Sequence, residues 1–263
     1  SLVTSARPEI SVPAYLERLK LIFKKNPKAA IEQLNSYLKQ TSSDIMKAEL
    51  YYTLGFFYYN TGDYPEAIRH LGLARHYETS RELSSRIDIL IAEAFYASGH
   101  KDLAKDSFNR YLNLYPSGSR RDKAWFYLGY LSFQEKNYTQ AKYNFEKLTE
   151  LHPDSPYCND AIFYLAEMDF YLANYNLALE NYLYLYNKKT DNEVVALRIA
   201  QVYYYLGDYE KSISYIADLA PNYDTCILEG NIMLAKKEYE KALDQFLQAE
   251  KYAPDNLKTI EAK

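Results

Sequence analysis

An all-α fold of tandem helix–turn–helix units is what this 263-residue sequence predicts, and three observations lead there. Apolar and small residues recur in one frame along almost the whole chain. There are only 8 Gly and 9 Pro, too few for a turn-rich β protein. Hydrophobic residues make up 48% and charged residues 25%, which supplies a large core under a polar surface.

The frame can be followed unit by unit. A degenerate first unit runs from about Ser11, with Leu21, Pro27, Ala30, Leu34 and Tyr37. The second holds Tyr51, Leu54, Gly55, Tyr58, Gly62-Asp63-Tyr64, Ala67, Leu71 and Ala74. The third holds Ile91, Ala92, Phe95, Gly99, Ala104, Phe108, Tyr111 and Pro116. In the fourth, Trp125-Phe126-Tyr127-Leu128-Gly129 leads to Asn137-Tyr138, Ala141, Phe145, Leu148 and Pro153. The fifth follows with Ile162, Leu165, Ala166, Tyr175, Ala178, Tyr182 and Leu185. The sixth has Ile199, Ala200, Tyr203, Gly207-Asp208-Tyr209, Ser212, Ile216 and Leu219. The last has Gly230-Asn231, Tyr239, Ala242, Phe246, Ala249 and Pro254. The units start near 11, 48, 85, 122, 159, 193 and 223, a period of 37 residues that shortens to 34 and then 30.

Each slot has a physical reason. A unit of this length makes two amphipathic helices of about 14 residues, roughly 21 Å each. The small slot (Gly55, Ala92, Gly129, Ala166, Ala200, Gly230) lets the first helix, A, approach the second, B. The alanine slot on helix B does the same from the other side, and larger residues then fill the gaps ridge into groove. Glycines 62, 99 and 207 fall at the turn inside a unit, where positive φ is needed. Pro116, Pro153 and Pro254 end helix B because proline cannot continue it. The 30 tyrosines are expected mainly in core and turn-packing slots, among them Tyr51, Tyr58, Tyr64, Tyr138, Tyr175, Tyr203, Tyr209 and Tyr239, with their hydroxyls at the wet edge.

The fourth unit resembles the tetratricopeptide pattern W-x₂-L-G-x₂-Y…A-x₃-F…P almost letter for letter. One departure is Ser132 in the first Tyr slot, with Phe133 beside it. The resemblance implies a right-handed α-solenoid of about seven units over 11–254, with a tail over 1–10 and an incomplete capping helix over 255–263. It also implies a non-enzymatic scaffold that holds a segment of another protein against the A helices. The residues expected on that concave face are Tyr52, Phe56, Tyr59, Glu93, Tyr96, Phe126, Tyr130, Phe133, Phe163, Glu167, Phe170, Tyr171 and Tyr204. Several of these are aromatic at positions that the repeat signature leaves open. They fit an apolar trough for an extended or helical segment, or the packing of one unit on the next. The carboxylate clamp of co-chaperone repeats is missing, since the corresponding pairs include Tyr52/Phe56 and Phe126/Tyr130. Glu93 and Glu167 would instead suit a basic residue of a partner.

The junctions Tyr115-Pro116-Ser117-Gly118-Ser119 and His152-Pro153-Asp154-Ser155-Pro156-Tyr157 look like those of bacterial cell-envelope repeat proteins. Those include outer-membrane barrel-assembly lipoproteins and periplasmic cell-division coordinators. A cytoplasmic assembly platform is the competing expectation. The short cap at the C-terminal end leaves self-association as an alternative function. The shortened spacing around Ala220-Pro221-Asn222-Tyr223 predicts a local change of pitch there.

Other classes find little support. With 31 Lys+Arg against 35 Asp+Glu the net charge is −4, the wrong sign for a nucleic-acid partner. No apolar run is long enough to span a membrane, and the first residues lack a signal-peptide pattern. Cys158 and Cys226 form no metal spacing and read as small half-buried hydrophobes. His70, His76, His100 and His152 read as solvated surface residues, and the carboxylates as outward-facing. No phosphate loop or nucleophile elbow occurs, so neither a cofactor nor catalytic residues are expected.

Overall fold

In the computed structural model, residues 12–77, 80–189 and 192–253 are described, and among them are fourteen α-helices and no strand. Ser11, Pro254, the expected tail 1–10 and the expected cap 255–263 lie outside the described residues. The chain divides into two compact units, Ser1–Glu135 and Lys136–Lys263.

The first unit holds α1 (Val12–Lys25), α2 (Pro27–Gln40), α3 (Asp44–Asn60), α4 (Tyr64–His76), α5 (Arg81–Ala97), α6 (Lys101–Leu114) and α7 (Arg121–Gln134). The second holds α8 (Tyr138–Leu151), α9 (Cys158–Tyr171), α10 (Tyr175–Asn187), α11 (Asn192–Tyr205), α12 (Tyr209–Ile216), α13 (Tyr223–Ala235) and α14 (Tyr239–Tyr252). Odd-numbered helices correspond to A and even-numbered ones to B. Within each unit every helix packs on its neighbours in the chain, and α3 also touches the A helices α1 and α5. This is the tandem helix-pair fold expected from the sequence.

Five of the A-to-B turns, those after α3, α5, α9, α11 and α13, share one hydrogen-bonding scheme. At the end of α3 the Gly62 N–H donates to the Tyr59 carbonyl and the Asp63 N–H to the Tyr58 carbonyl. This is a Schellman cap, and it needs a residue of positive φ at its centre. Gly62, Gly99 and Gly207 supply it at φ 81°. The same bonds form around Ala173 and Lys237, which are forced to φ 59° and 62° without being glycine. The next residue then starts helix B: the Asp63 and Asp208 carboxylates accept from the N–H groups of Glu66 and Lys211. Two residues thus end one helix and begin the next.

The small slots are where the helices touch most closely. Ala67, Ala92, Ala104, Ala141, Ala166, Ala178 and Ala200 are fully buried. A Cβ on Gly55 would stand 2.6 Å from Leu71 Cγ, and one on Gly230 would stand 2.5 Å from Phe246 Cε1. Two A helices run longer than the 14 residues expected: α3 and α5 have 17. Ser43 and Ser80 cap them upstream, accepting from the N–H groups of Met46 and Leu83. In the second unit α12 has only 8 residues, and it stands where the repeat spacing shortens.

Two expectations about single residues are corrected. His70 is 4% exposed, not solvated, and lies against the rings of Tyr51 and Tyr58. Tyr239 is 64% exposed, not packed in a core or turn slot. The most deeply buried tyrosines are Tyr111 and Tyr182 on the B helices. Their hydroxyls meet Ser85 and Glu167, not water.

Candidate protein-binding face

In the first unit the expected face lies on α3, α5 and α7. Tyr52, Phe56 and Tyr59 follow one another at four and three residues on α3, so they share one side of the helix. All three are half-buried against the core between α3 and α5. The Arg86 guanidinium of α5 stands 4.4 Å above the Tyr52 ring. On α7, Phe126 and Tyr130 lie nearly parallel with centroids 6.3 Å apart. Tyr96 of α5 meets Tyr130 at 6.4 Å and Tyr127 at 4.7 Å. The structure therefore brings Tyr96, Phe126 and Tyr130 together across two A helices, all half-buried. Phe133 is half-buried further along α7.

In the second unit the face lies on α9 and α11. Phe170 contacts Tyr175 at 5.8 Å and Tyr205 at 5.6 Å, and Tyr175 stacks on Tyr205 at 5.1 Å. Tyr204 packs on Tyr209 at the foot of α12. Phe163 turns its edge to Tyr182, whereas Tyr171 is 57% exposed. Tyr205, also exposed, falls at a concave-face position of its helix and joins this group.

The two acidic positions behave differently from the expectation. Glu93 is buried and pairs with Lys123 at 2.6 Å. Glu167 is buried as well, and it accepts from the Tyr182 hydroxyl and from both Nε (2.6 Å) and Nη2 (3.1 Å) of Arg198. Burial works against the Arg198 charge, yet the facing carboxylate holds its pKa above the usual value. Burial, followed by the Glu167 charge, pushes the Tyr182 hydroxyl well up. Both carboxylates are thus satisfied inside the chain, each by a basic residue on the following A helix. The expected outward orientation of carboxylates fails also at Asp88, which is 2% exposed. Asp88 accepts from the Tyr115 hydroxyl at 2.9 Å and lies 2.9 Å from Arg75 Nη1. Only the long-range pairing of repeats could have revealed Lys123, Arg198 and Tyr115 as partners, since each lies about one repeat away from its carboxylate in sequence.

Among the described residues no group of three His, Cys, Asp or Glu side chains is placed to hold a metal ion. No described helix is long and apolar enough to cross a membrane.

A protein-family model described as "YfiO: Outer membrane lipoprotein" matches residues 43–225. Among solved structures, the C-terminal part of a TPR repeat-containing protein from Cytophaga hutchinsonii superposes with a TM-score of 0.70 at 17% identity, covering 94% of this chain and 98% of that one. A tetratricopeptide repeat protein from Parabacteroides merdae gives 0.59 at 21% identity, covering 95% and 96%. The apo form of RapI gives 0.59 at 16% identity, covering 92% and 97%. At these identities the likeness is one of fold. A search of curated proteins finds no match.

Proposed function

The chain belongs to the family described as YfiO, outer membrane lipoprotein, and on that premise we propose that it is a non-enzymatic scaffold that holds a segment of a partner protein. The observation that carries this reading is the aromatic face of the A helices. Tyr130 meets both Tyr96 and Phe126, and all three keep part of their rings accessible. Half-buried aromatic rings held by their neighbours bind at little entropic cost, because they have few rotamers to lose. The family description and the envelope-like junctions support a place in a bacterial envelope complex. On this reading the solenoid spans 11–254.

Tagged chain is tested against envelope extracts beside a Phe126→Ala/Tyr130→Ala double variant. A partner captured by the parent and lost by the variant, with helical content unchanged by circular dichroism, supports the face. Equal capture by both refutes it.

A second reading, self-assembly, is favoured by α14. Tyr239, Leu243, Leu247 and Tyr252 are between 46% and 64% exposed there. At the slot equivalent to Leu243, Leu179 and Ile213 are partly covered by the helix that follows. A monomer at millimolar concentration by light scattering rejects self-assembly.

A further inference from the structure

We propose that the opening of α5 is a docking site for an acidic segment of the partner that also carries a bulky apolar side chain. This deepens the scaffold reading above and rests on it.

Two adjoining cavities in the first unit share Arg86. The first, about 770 Å³, lies between the first turns of α5 and the 115–120 link from α6 to α7. Arg81, Arg86 and Arg120 line it together with a single carboxylate, Glu82, which leaves a local charge of about +2. Among the described residues none of these arginines is ion-paired. Arg81 Nη2 donates to the Leu114 carbonyl at 3.1 Å, and Arg86 lies over Tyr52. Neutral groups therefore hold both side chains in place, and no described carboxylate forms an ion pair with them. This contrasts with Arg75 and Lys123 of the same unit, which meet the buried carboxylates Asp88 and Glu93. A guanidinium fixed by a carbonyl or a ring keeps free N–H groups in a planar fork that matches a carboxylate.

The second cavity, about 590 Å³, is walled by Leu16, Ile45 and Met46. Ile45 is 73% exposed and Met46 38%. The charges at its edge partly cancel, since Lys20 pairs with Glu17 at 2.6 Å, while Glu49 remains on the wall. A partner with a carboxylate in the first cavity and a leucine- or phenylalanine-sized group in the second would bridge Arg86. Both are open concavities in the surface, large enough for side chains of a partner segment.

The test uses the full chain and fluorescein-labelled nonapeptides with blocked ends, read by anisotropy. One peptide carries two leucines followed by two glutamates; its twin has glutamines in place of the glutamates. The acidic peptide is expected to bind, with a Kd about tenfold weaker for the twin and for the Arg81→Gln/Arg120→Gln chain. Ile45→Ser weakens binding of both peptides, and affinity falls as salt rises from about 50 to 300 mM. Equal binding of the twin, indifference to the arginine variants in chains of unchanged circular dichroism, or no binding below about 1 mM overturns the proposal. Arginine-dependent sedimentation with phosphatidylglycerol vesicles in place of peptide binding also overturns it. Peptide binding retained by the Phe126→Ala/Tyr130→Ala chain supports the basic site even if the aromatic face fails in the pull-down. Loss of the arginine dependence removes the basic site and leaves the aromatic face standing.

Discussion

Asp88 and His70 show how single buried polar groups are accommodated. Asp88 receives the Tyr115 hydroxyl and the Arg75 guanidinium, so the carboxylate joins α5 to α4 and to the end of α6. Tyr115→Phe removes one hydrogen bond to a buried charge, and urea denaturation is expected to show a loss of about 1.5–3 kcal/mol. Burial and the facing Asp88 push the Tyr115 hydroxyl up from 10.0 to about 12. The folded chain holds that proton where the unfolded chain releases it. Its contribution is therefore intact below pH 10 and lost between pH 10 and about 12, a loss that Tyr115→Phe should reduce. His70 has the opposite sign. Burial pushes its pKa down from 6.5, against the pull of its bond to the Glu66 carbonyl. With Nδ1–H donating to that carbonyl at 2.8 Å, Nε2 is left to accept from Arg69 Nη2 at 3.1 Å, so the ring is held neutral. Stability is complete above pH 6.5 and falls below it, as the unfolded chain takes up a proton that the folded one resists. In His70→Gln the fall between pH 6.5 and 5 should shrink, which thermal denaturation over that range measures.

At the scale of the helix, the turn between A and B is the controlling device. Its backbone bonds recur whatever residue occupies the centre, so the cost of positive φ falls on Ala173 and Lys237. Lys237→Gly is expected to raise unfolding stability by about 1 kcal/mol, because a left-handed residue with a Cβ costs roughly 1–2. Gly55 demands the reverse treatment. Alanine normally gains about 1 kcal/mol over glycine inside a helix. Here its Cβ would press on Leu71, and overpacking of about 1–3 kcal/mol decides the sign. Gly55→Ala should lower the denaturation midpoint. The close approach at Gly55 and the turns at Gly62, Gly99 and Gly207 were legible in the sequence, since glycine announces both. The turns at Ala173 and Lys237 were legible only by register, because neither residue type signals positive φ.

Across the whole chain, both compact units use the same inter-repeat link: an acid buried on one A helix meets a base on the next. Glu93–Lys123 does this in the first unit and Glu167–Arg198 in the second. Glu167→Ala would leave Arg198 and the Tyr182 hydroxyl without their partner, so chemical denaturation should show a loss of about 3–5 kcal/mol. The aromatic face is separable from these links. A variant that weakens partner capture without moving the denaturation midpoint reports on the face, whereas one that moves both reports on the scaffold.

The sequence by itself determined the helix pairs, their small contact slots, the glycine turns and the aromatic character of the A helices. Each is written in spacing, because a repeated backbone geometry selects the same residue size at the same interval. Tertiary structure alone decided which polar groups are buried and with whom. It turned Glu93, Glu167 and His70 inward, left Tyr239 and Leu243 on α14 uncovered, and gathered Arg81, Arg86 and Arg120 around one cleft. The physical reason is range. Helix periodicity is a local property, whereas the partner of a buried charge is set by whichever side chain the next repeat brings within about 3 Å of it.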